Sequence, residues 1–405
     1  MSKTQYSNDP TGLYDYWKQD KGGEPLKEKS LEDMGYITMV NNDSSESAKF
    51  YADPPNLTIG DNMFQSCSSL TSWTVGLPNL TKGNSMFRSC SKLAAWTGEL
   101  PNLTNGSYMF NSCSSLTSWT VGLPSLTIGD SMFRSCSGLT SWTGELPNLT
   151  NGTYMFYYCT GLTSWTVELP SLTNGDSMFY GCSKLTSWTV DLPNLTKGSN
   201  MFQGCTGLTS WTVQLSKLEG GSSMFNGCKG LTSWTVELPN LTTGTSMFQG
   251  CTGLTSWNAE LPNLTTGSSM FRSCSGLTSW NADLPNLTTG DYMFNSCTGL
   301  TSWNADLPSL TNGSSMFYLC TSLTSFSGDL PNLTTGTSMF QNCKLDKASV
   351  HRIAESIPSK PSGASSSDYK LTLGIDASLK EDADVAADLA TIKTTKKWTL
   401  TTQWN

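Results

Sequence analysis

The sequence predicts an α/β repeat solenoid, with a parallel β-sheet along one face, short helical turns on the other and an α/β cap at the C-terminal end. Three observations predict it. Cysteine falls at Cys67 and then every 23 residues to Cys343, thirteen times without insertion, and nowhere else. Gly, Met-Phe, Leu and Trp keep fixed distances from each of these cysteines. The string MFRSCSGLTSW occurs twice, at residues 132–142 and 270–280, six periods apart. Self-similarity at such a period marks stacked units rather than the two or three globular domains that 405 residues otherwise suggest.

Residues 1–53 lack the repeat and read as an N-terminal cap or an attachment segment to a larger assembly. GYITMV and AKFYA are short strand candidates there, while DYWKQDKGGEPLKEKS is polar. The N-terminus has no apolar core of a secretory signal, and no stretch approaches the 18 apolar residues of a spanning helix. The expectation is a chain made in the cytoplasm without membrane insertion, carried on a virion or exposed outside by a route other than the general secretory one.

Residues 54–343 are the solenoid. Counting from each cysteine up to Cys320, Leu lies at +3, Trp at +6 with Phe326 in the twelfth copy, a small residue at +8, Leu at +10, Pro at +11 except for Ser216, Leu at +13, Gly at +16 and Met-Phe at +19 and +20. LTSWTV, rich in Thr, Trp and Val, fits a short strand. Alternation puts Trp and the small +8 residue on one face and Ser, Thr and an acid on the other. An outward Trp would bury carboxylates in every unit, at several kcal/mol each, so Trp points inward. Pro ends the strand because it cannot donate to a ladder. The following Gly is expected to turn the chain. Ser, Thr, Asp or Asn after it would cap one helical turn carrying Met, Phe and Cys into the core.

One thiol per unit, odd in total and never clustered, fits neither a disulfide framework nor a metal site, so each cysteine reads as a small buried apolar side chain. Charged residues make up 14%, against about 25% in ordinary domains, and the formal charge is −8. That balance argues against nucleic-acid partners and against anionic membranes. N-x-T tripeptides such as residues 79–81 and 263–265 match glycosylation sequons but read as turn sequence.

LTSWTVELPNL lies over the pattern L-x-x-L-x-L-x-x-N-x-L, with Trp at the second Leu and Pro at the Asn. With the 23-residue period, the Gly, the Met-Phe and the C-x-x-L, the chain resembles the BspA-like leucine-rich repeats from about Pro55 to Cys343. The resemblance implies a curved solenoid of leucine-rich-repeat type with its parallel sheet on the concave face. It implies an adhesive or binding role at a cell surface. Met before Phe and Trp in place of a branched aliphatic depart from the family pattern. Signal-less repeat proteins of this style also resemble products of bacteriophages of gut bacteria, borne on the virion.

Scaffold positions repeat and recognition positions should vary. The +21 position holds only Gln, Arg, Asn and Tyr, and its candidate ligand-binding members are Arg88, Arg134, Tyr157, Tyr180, Gln203, Gln249, Arg272 and Tyr318. Such long hydrogen-bonding side chains are common in binding surfaces, although a narrow codon history would give the same column. The +9 position is acidic: Glu145, Glu168, Asp191, Glu237, Glu260, Asp283, Asp306 and Asp329. Like charges on neighbouring strands repel. The column therefore serves either solubility and protection of a long sheet, or a cationic ligand or Ca²⁺ on the concave face. The Ser-x-Thr pair beside each Trp forms a regular hydroxyl array, as in ice-binding solenoids, a distant alternative.

Residues 344–405 read as the α/β capping region. DKASVHRIAESI forms a helix, SKPSGASSSD a loop, KLTLGI a strand, SLKEDADVAADLATIK a helix opened by a Ser378 and Glu381 capping box, and KWTLTTQW a last strand. The single histidine, His351, is expected on solvated helix surface. With no nucleophile–base pair, metal cluster or phosphate loop in view, the expectation is a non-enzymatic protein without cofactor. It would bind a protein or glycan on a cell surface, with other virion or assembly proteins as partners of residues 1–53. The alternative is a structural or decorating component of a phage particle or other assembly.

Overall fold

The computed structural model describes residues 38–41, 48–51, 57–68, 70–365 and 367–405. The chain divides into two compact units, residues 1–194 and 195–405. In the first, β1 (Thr38–Asn41), which overlaps GYITMV and runs one residue past it, and β2 (Ala48–Tyr51), within AKFYA, form an antiparallel pair. The polar segment proposed for attachment lies outside the described residues.

From Thr58 the chain winds in 23-residue coils. The predicted strands are short, and three coils do not form them: Trp165 and Trp188 share only an isolated bridge, and Trp211 has neither strand nor bridge. In the first unit β3 (Ser72–Trp73) pairs in parallel with β4 (Ala95–Trp96), and β5 (Ser118–Trp119) with β6 (Ser141–Trp142). In the second, β7 (Ser233–Trp234), β8 (Ser256–Trp257) and β9 (Ser279–Trp280) form one sheet, and β10 (Ser302–Trp303) pairs with β11 (Ser325–Phe326). Further parallel bridges link the residue before each +16 glycine, as from Ile59 to Lys82 and from Thr243 to Thr266.

The coil of Trp142 shows why the two-strand pieces form where they do. A Cβ on Gly144, at +8, would lie 2.1 Å from the Val121 carbonyl oxygen. The same holds for Gly98 against Val75 and Gly328 against Ala305, at 2.0 and 2.2 Å. Glycine lets the backbone of these coils close on the preceding one, and they are the coils of β4, β6 and β11.

Trp points inward as expected: the tryptophans from Trp73 to Trp303 are at most 2% exposed. Successive indoles stack, as do successive phenylalanines, and the two columns meet edge to face. Trp119 and Trp142 lie 5.4 Å apart at 7°, Phe133 and Phe156 5.7 Å at 7°, and Phe133 and Trp142 4.8 Å at 77°. Each indole keeps a polar partner, Trp142 Nε1 donating to the Gly144 carbonyl at 2.7 Å. The thirteen cysteines are free and buried. Cys136 Sγ donates to the Phe110 carbonyl at 3.1 Å, a bond that recurs along the column. Burial pushes the Cys159, Cys274 and Cys320 thiols up to about 12.

On the Met-Phe side one expectation is corrected and one is sharpened. This side has no helical turn. N–H groups alternate between their own coil and the next: Met132, Arg134 and Cys136 donate three residues back, while Ser131, Phe133 and Ser135 donate to Thr153, Met155 and Tyr157. Ser131 and Ser135, at +18 and +22, have φ of 54° and 61°, a sequence of tight turns that an α-helix forbids. All the backbone donors from 131 to 136 are thus satisfied. The invariant +16 glycine does open a turn, the Gly129 carbonyl accepting from the Met132 N–H, but without a left-handed φ, so space and not conformational freedom calls for glycine. A Cβ on Gly129 would meet Met155 Sδ at 2.8 Å, and on Gly60 would meet Met86 Sδ at 2.7 Å, so the methionine of the next coil fills the space that glycine leaves.

After Cys343 the second unit changes construction. β12 (Thr335–Leu345), β13 (Lys370–Ile375) and β14 (Thr399–Trp404) form a parallel sheet in that order, with bulges between β12 and β13. Helix α1 (Lys347–Ser356) is capped by Asp346 and α2 (Ala383–Ala390) by Asp382. The expected Ser378 and Glu381 capping box does not form, because Ser378 is inside a 3₁₀ turn, residues 377–379, capped by Asp376. No helix among the described residues is long and apolar enough to cross a membrane.

Candidate ligand-binding surface

The varying +21 position projects from the Met-Phe side, bracketed by the left-handed residues at +18 and +22. The bracketing residues are Ser, Asn or Gly in most coils, types that tolerate positive φ. Tyrosine replaces them at Tyr108, Tyr154 and Tyr292 in the +18 position and at Tyr158 in the +22 position, with φ between 54° and 58°.

The structure divides the predicted +21 residues. Arg88 and Arg272 are exposed, while Arg134, Tyr157, Tyr180, Gln203, Gln249 and Tyr318 are half-buried. Gln249 Oε1 faces Asn226 Nδ2 at 3.5 Å. Asn111 and Asn295, in the same column, turn inward and accept from the neighbouring Ser112 and Ser296 hydroxyls.

Each arginine of the column meets a tyrosine twenty residues on, at +18 of the next coil. Arg88 lies 5.9 Å from the Tyr108 ring centroid, Arg134 5.8 Å from Tyr154 and Arg272 5.9 Å from Tyr292. This pairing is present in the sequence, since tyrosine occupies +18 only after those three arginines, yet an inspection of the +21 column alone passes over it.

One region gathers most of these rings. Arg134 sits 4.8 Å over Tyr157, and Tyr157 stacks on Tyr180 at 4.6 Å. Tyr158 stands edge-on to both, at 4.7 and 5.4 Å, and Tyr154 edge-on to Tyr157 at 5.5 Å. Tyr158 also lies across Gly181, where a Cβ would meet its ring at 2.6 Å. Burial, then the neighbouring Tyr158, holds the Tyr157 and Tyr180 phenols above their ordinary range, so both remain neutral donors at physiological pH.

The acidic +9 residues lie on a separate, exposed side of the coil, with Asp329 half-buried. Two have a structural use: Glu237 Oε2 accepts from the Glu260 N–H at 2.8 Å, and Asp306 Oδ1 from the Asp329 N–H at 3.0 Å. Asp329 in turn pairs with Arg352 at 2.7 Å. Glu145 and Glu168 flank an open groove of about 370 Å³ with Pro147 and Pro170. Among the described residues no three His, Cys, Asp or Glu side chains converge. Calcium takes six to eight oxygens, so a column of one carboxylate per coil does not by itself furnish a calcium cage. The sequon asparagines have their own role, Asn102 Nδ2 donating to the Pro78 carbonyl at 2.7 Å and Asn148 to Pro124 likewise.

Comparison with known proteins agrees with this architecture. No curated protein matches the sequence. A crystal structure of a leucine-rich repeat protein from Bacteroides ovatus is similar over 91% of this chain and 98% of its own, at 21% identity and a TM-score of 0.55. One from Eubacterium ventriosum is 18% identical over 82% of this chain and 97% of its own, at a TM-score of 0.40. A leucine rich cell surface protein from Faecalibacterium prausnitzii is 20% identical over 67% and 76%, at 0.37. The family model of the BspA type leucine rich repeat region matches residues 43–163, 145–255, 173–301 and 244–361. Its matches cover well over half of the sequence, and the chain belongs to the BspA type leucine-rich repeat family.

Proposed function

We propose that the chain is a recognition protein that binds a protein or glycan on a cell surface and does not transform it, acting outside the cell or on a virion. One observation carries the reading: on one side of the coils the +18, +21 and +22 positions change from coil to coil and, Leu319 apart, draw on Tyr, Arg, Ser, Asn, Gln and Gly. That alphabet matches the paratopes of antibodies, where tyrosine gives rigid contact area and Ser, Gly and Asn adaptable hydrogen bonds. Labelled chain added to host cells or to immobilised mucin-type glycans should bind saturably and be displaced by unlabelled chain. Binding that grows linearly and resists displacement overturns the reading.

A structural role in an assembly is the second reading, and β14 favours it. Its sequence TLTTQW is uncharged, and it is the last strand of its sheet. Edge strands without charge invite pairing with another chain. Incorporation of the intact chain into particles, without saturable ligand binding, would select this role. The domain limits at residues 53 and 343 are part of the same proposal, with 344–405 closing the solenoid.

A further inference from the structure

The Met-Phe side carries one platform that differs from the rest in gathering four tyrosines within two coils. Tyr157, Tyr158 and Tyr180 are in mutual ring contact and Tyr154 adds a contact to Tyr157, while Tyr154 and Tyr158 remain 39% and 44% exposed. Both hold a left-handed backbone, φ 54° and 57°, which bulky side chains disfavour. At the equivalent positions the preceding coil has Ser131 and Ser135, and the following coil Ser177 and Gly181. Local backbone preference therefore opposes tyrosine at both sites, as is common where a side chain is retained for contact.

Two acids adjoin the platform: Asp176, whose carbonyl accepts from the Tyr154 N–H, and Asp130 at the same +17 position one coil before Tyr154. Glu145, Glu168 and Asp191 lie on another side of the same coils, and these five acids against Arg134 and Lys184 bring residues 114–194 to a balance of −3. The Arg134 guanidinium is already engaged on Tyr157. Tyrosine faces are electron-rich and attract cations, and an acidic surround steers positively charged partners toward them. The chain itself supplies the mode of capture three times, in Arg88 on Tyr108, Arg134 on Tyr154 and Tyr157, and Arg272 on Tyr292.

We infer that this platform docks an arginine- or lysine-bearing segment of a partner protein. The partner's cationic side chains seat on the exposed rings of Tyr154 and Tyr158, as Arg134 seats on Tyr157. The inference rests on the recognition reading and names the chemistry of the ligand for that same surface.

The test uses the full chain and a Tyr154→Ser, Tyr158→Ser double variant. Serine already occupies both left-handed positions in the preceding coil, and the exchange leaves the net charge unchanged. Circular dichroism and melting report that the variant folds. The probe is fluorescein-labelled oligoarginine, read by anisotropy at near-physiological salt, beside a neutral Gly-Ser peptide of equal length. Oligoarginine should bind the variant about tenfold more weakly than the wild type, and the neutral peptide should bind neither. Equal oligoarginine affinity for both chains overturns the inference, since binding then reflects net charge alone. So does a tyrosine-dependent interaction with mucin-type glycans in the absence of one with oligoarginine. Saturable cell binding that disappears in the variant while oligoarginine affinity is unchanged leaves the recognition reading intact and removes the basic partner. Absence of saturable cell binding by the wild type removes the recognition reading itself.

Discussion

The coils and the residues after Cys343 are held together by different means. In a coil the same neutral plug recurs: stacked Trp and Phe, a buried thiol on a carbonyl, a Met against a glycine. After Cys343 a parallel sheet and an apolar core of Val350, Ile353, Leu371, Leu373, Val385 and Ile392 are supplemented by charge pairs between elements, which the described coils lack as a repeated tie. Lys347 bridges Asp382 and Asp384, His351 reaches Asp388, and Lys396 donates to the carbonyls of Glu355 and Ile357 at the end of α1. A repeated interface places identical residues opposite each other, and identical charges would repel, so stacking and neutral hydrogen bonds are what a coil-to-coil contact can repeat. A segment that occurs once is free to use complementary charges. The two regions should therefore differ sharply in how they respond to truncation, to close packing and to pH.

The largest effect is expected from Trp142→Ala. It deletes an indole that stacks on Trp119 and meets Phe133 and Phe156, and should cost about 3–5 kcal/mol in denaturant unfolding. A loss below about 1 kcal/mol would mean the aromatic columns are not the main tie between coils. Next comes a contrast between two glycines. Gly144→Ala drives a methyl into the Val121 carbonyl, whereas Gly129→Ala meets the flexible end of Met155. The first should be destabilising by about 2–3 kcal/mol and the second by clearly less. Equal melting temperatures for the two variants would refute the close-approach account of the +8 glycines.

How much of this was legible in the sequence follows from the range of each interaction. The inward Trp was legible because alternation and the cost of buried carboxylates are local facts. The Met-Phe turn was misread as helical: its core residues at i, i+1 and i+4 suit a helix, but half its N–H groups find partners in the next coil, and no local pattern records that. The +16 glycine opens a turn as expected, but the methionine that needs its space lies 26 residues away, beyond any local pattern. In the candidate surface, the sequence singled out Arg134, Tyr157 and Tyr180 but not Tyr154 or Tyr158, whose +18 and +22 columns are mostly Ser, Asn or Gly. Only the twenty-residue link between arginine and tyrosine exposed the pairing, and its meaning required the coil geometry.

A smaller effect sharpens the contrast after Cys343. Asp382 accepts from the Asp384 and Val385 N–H groups at the start of α2. Asp382→Ala should cost about 1 kcal/mol, seen as faster amide exchange in α2, while Glu381→Ala should leave α2 unaffected. Equal exchange in both variants would restore the capping box that the geometry rejects.

The smallest effect concerns His351, and its sign separates the two regions. The Asp388 carboxylate, by hydrogen bond and then by charge, and Glu355 to a lesser degree, hold the His351 imidazole above its ordinary 6.5. His351 Nδ1 lies 3.0 Å from Asp388 on α2, and Nε2 3.2 Å from Glu355 on its own helix. A raised folded value means that the protonated pair stabilises fully below about pH 6.5 and is lost as pH rises through the folded pKa. His351→Gln should therefore accelerate amide exchange in α1 and α2 near about pH 6 and have little effect well above neutrality. The coils, whose ties are aromatic stacks and un-ionised thiols, should show no such dependence across the same range. An effect of His351→Gln that grows with pH would reverse the sign and place the stabilising species in the neutral imidazole. Loss of protection in the coils over the same pH interval would remove the division between charge-supplemented and stack-joined regions.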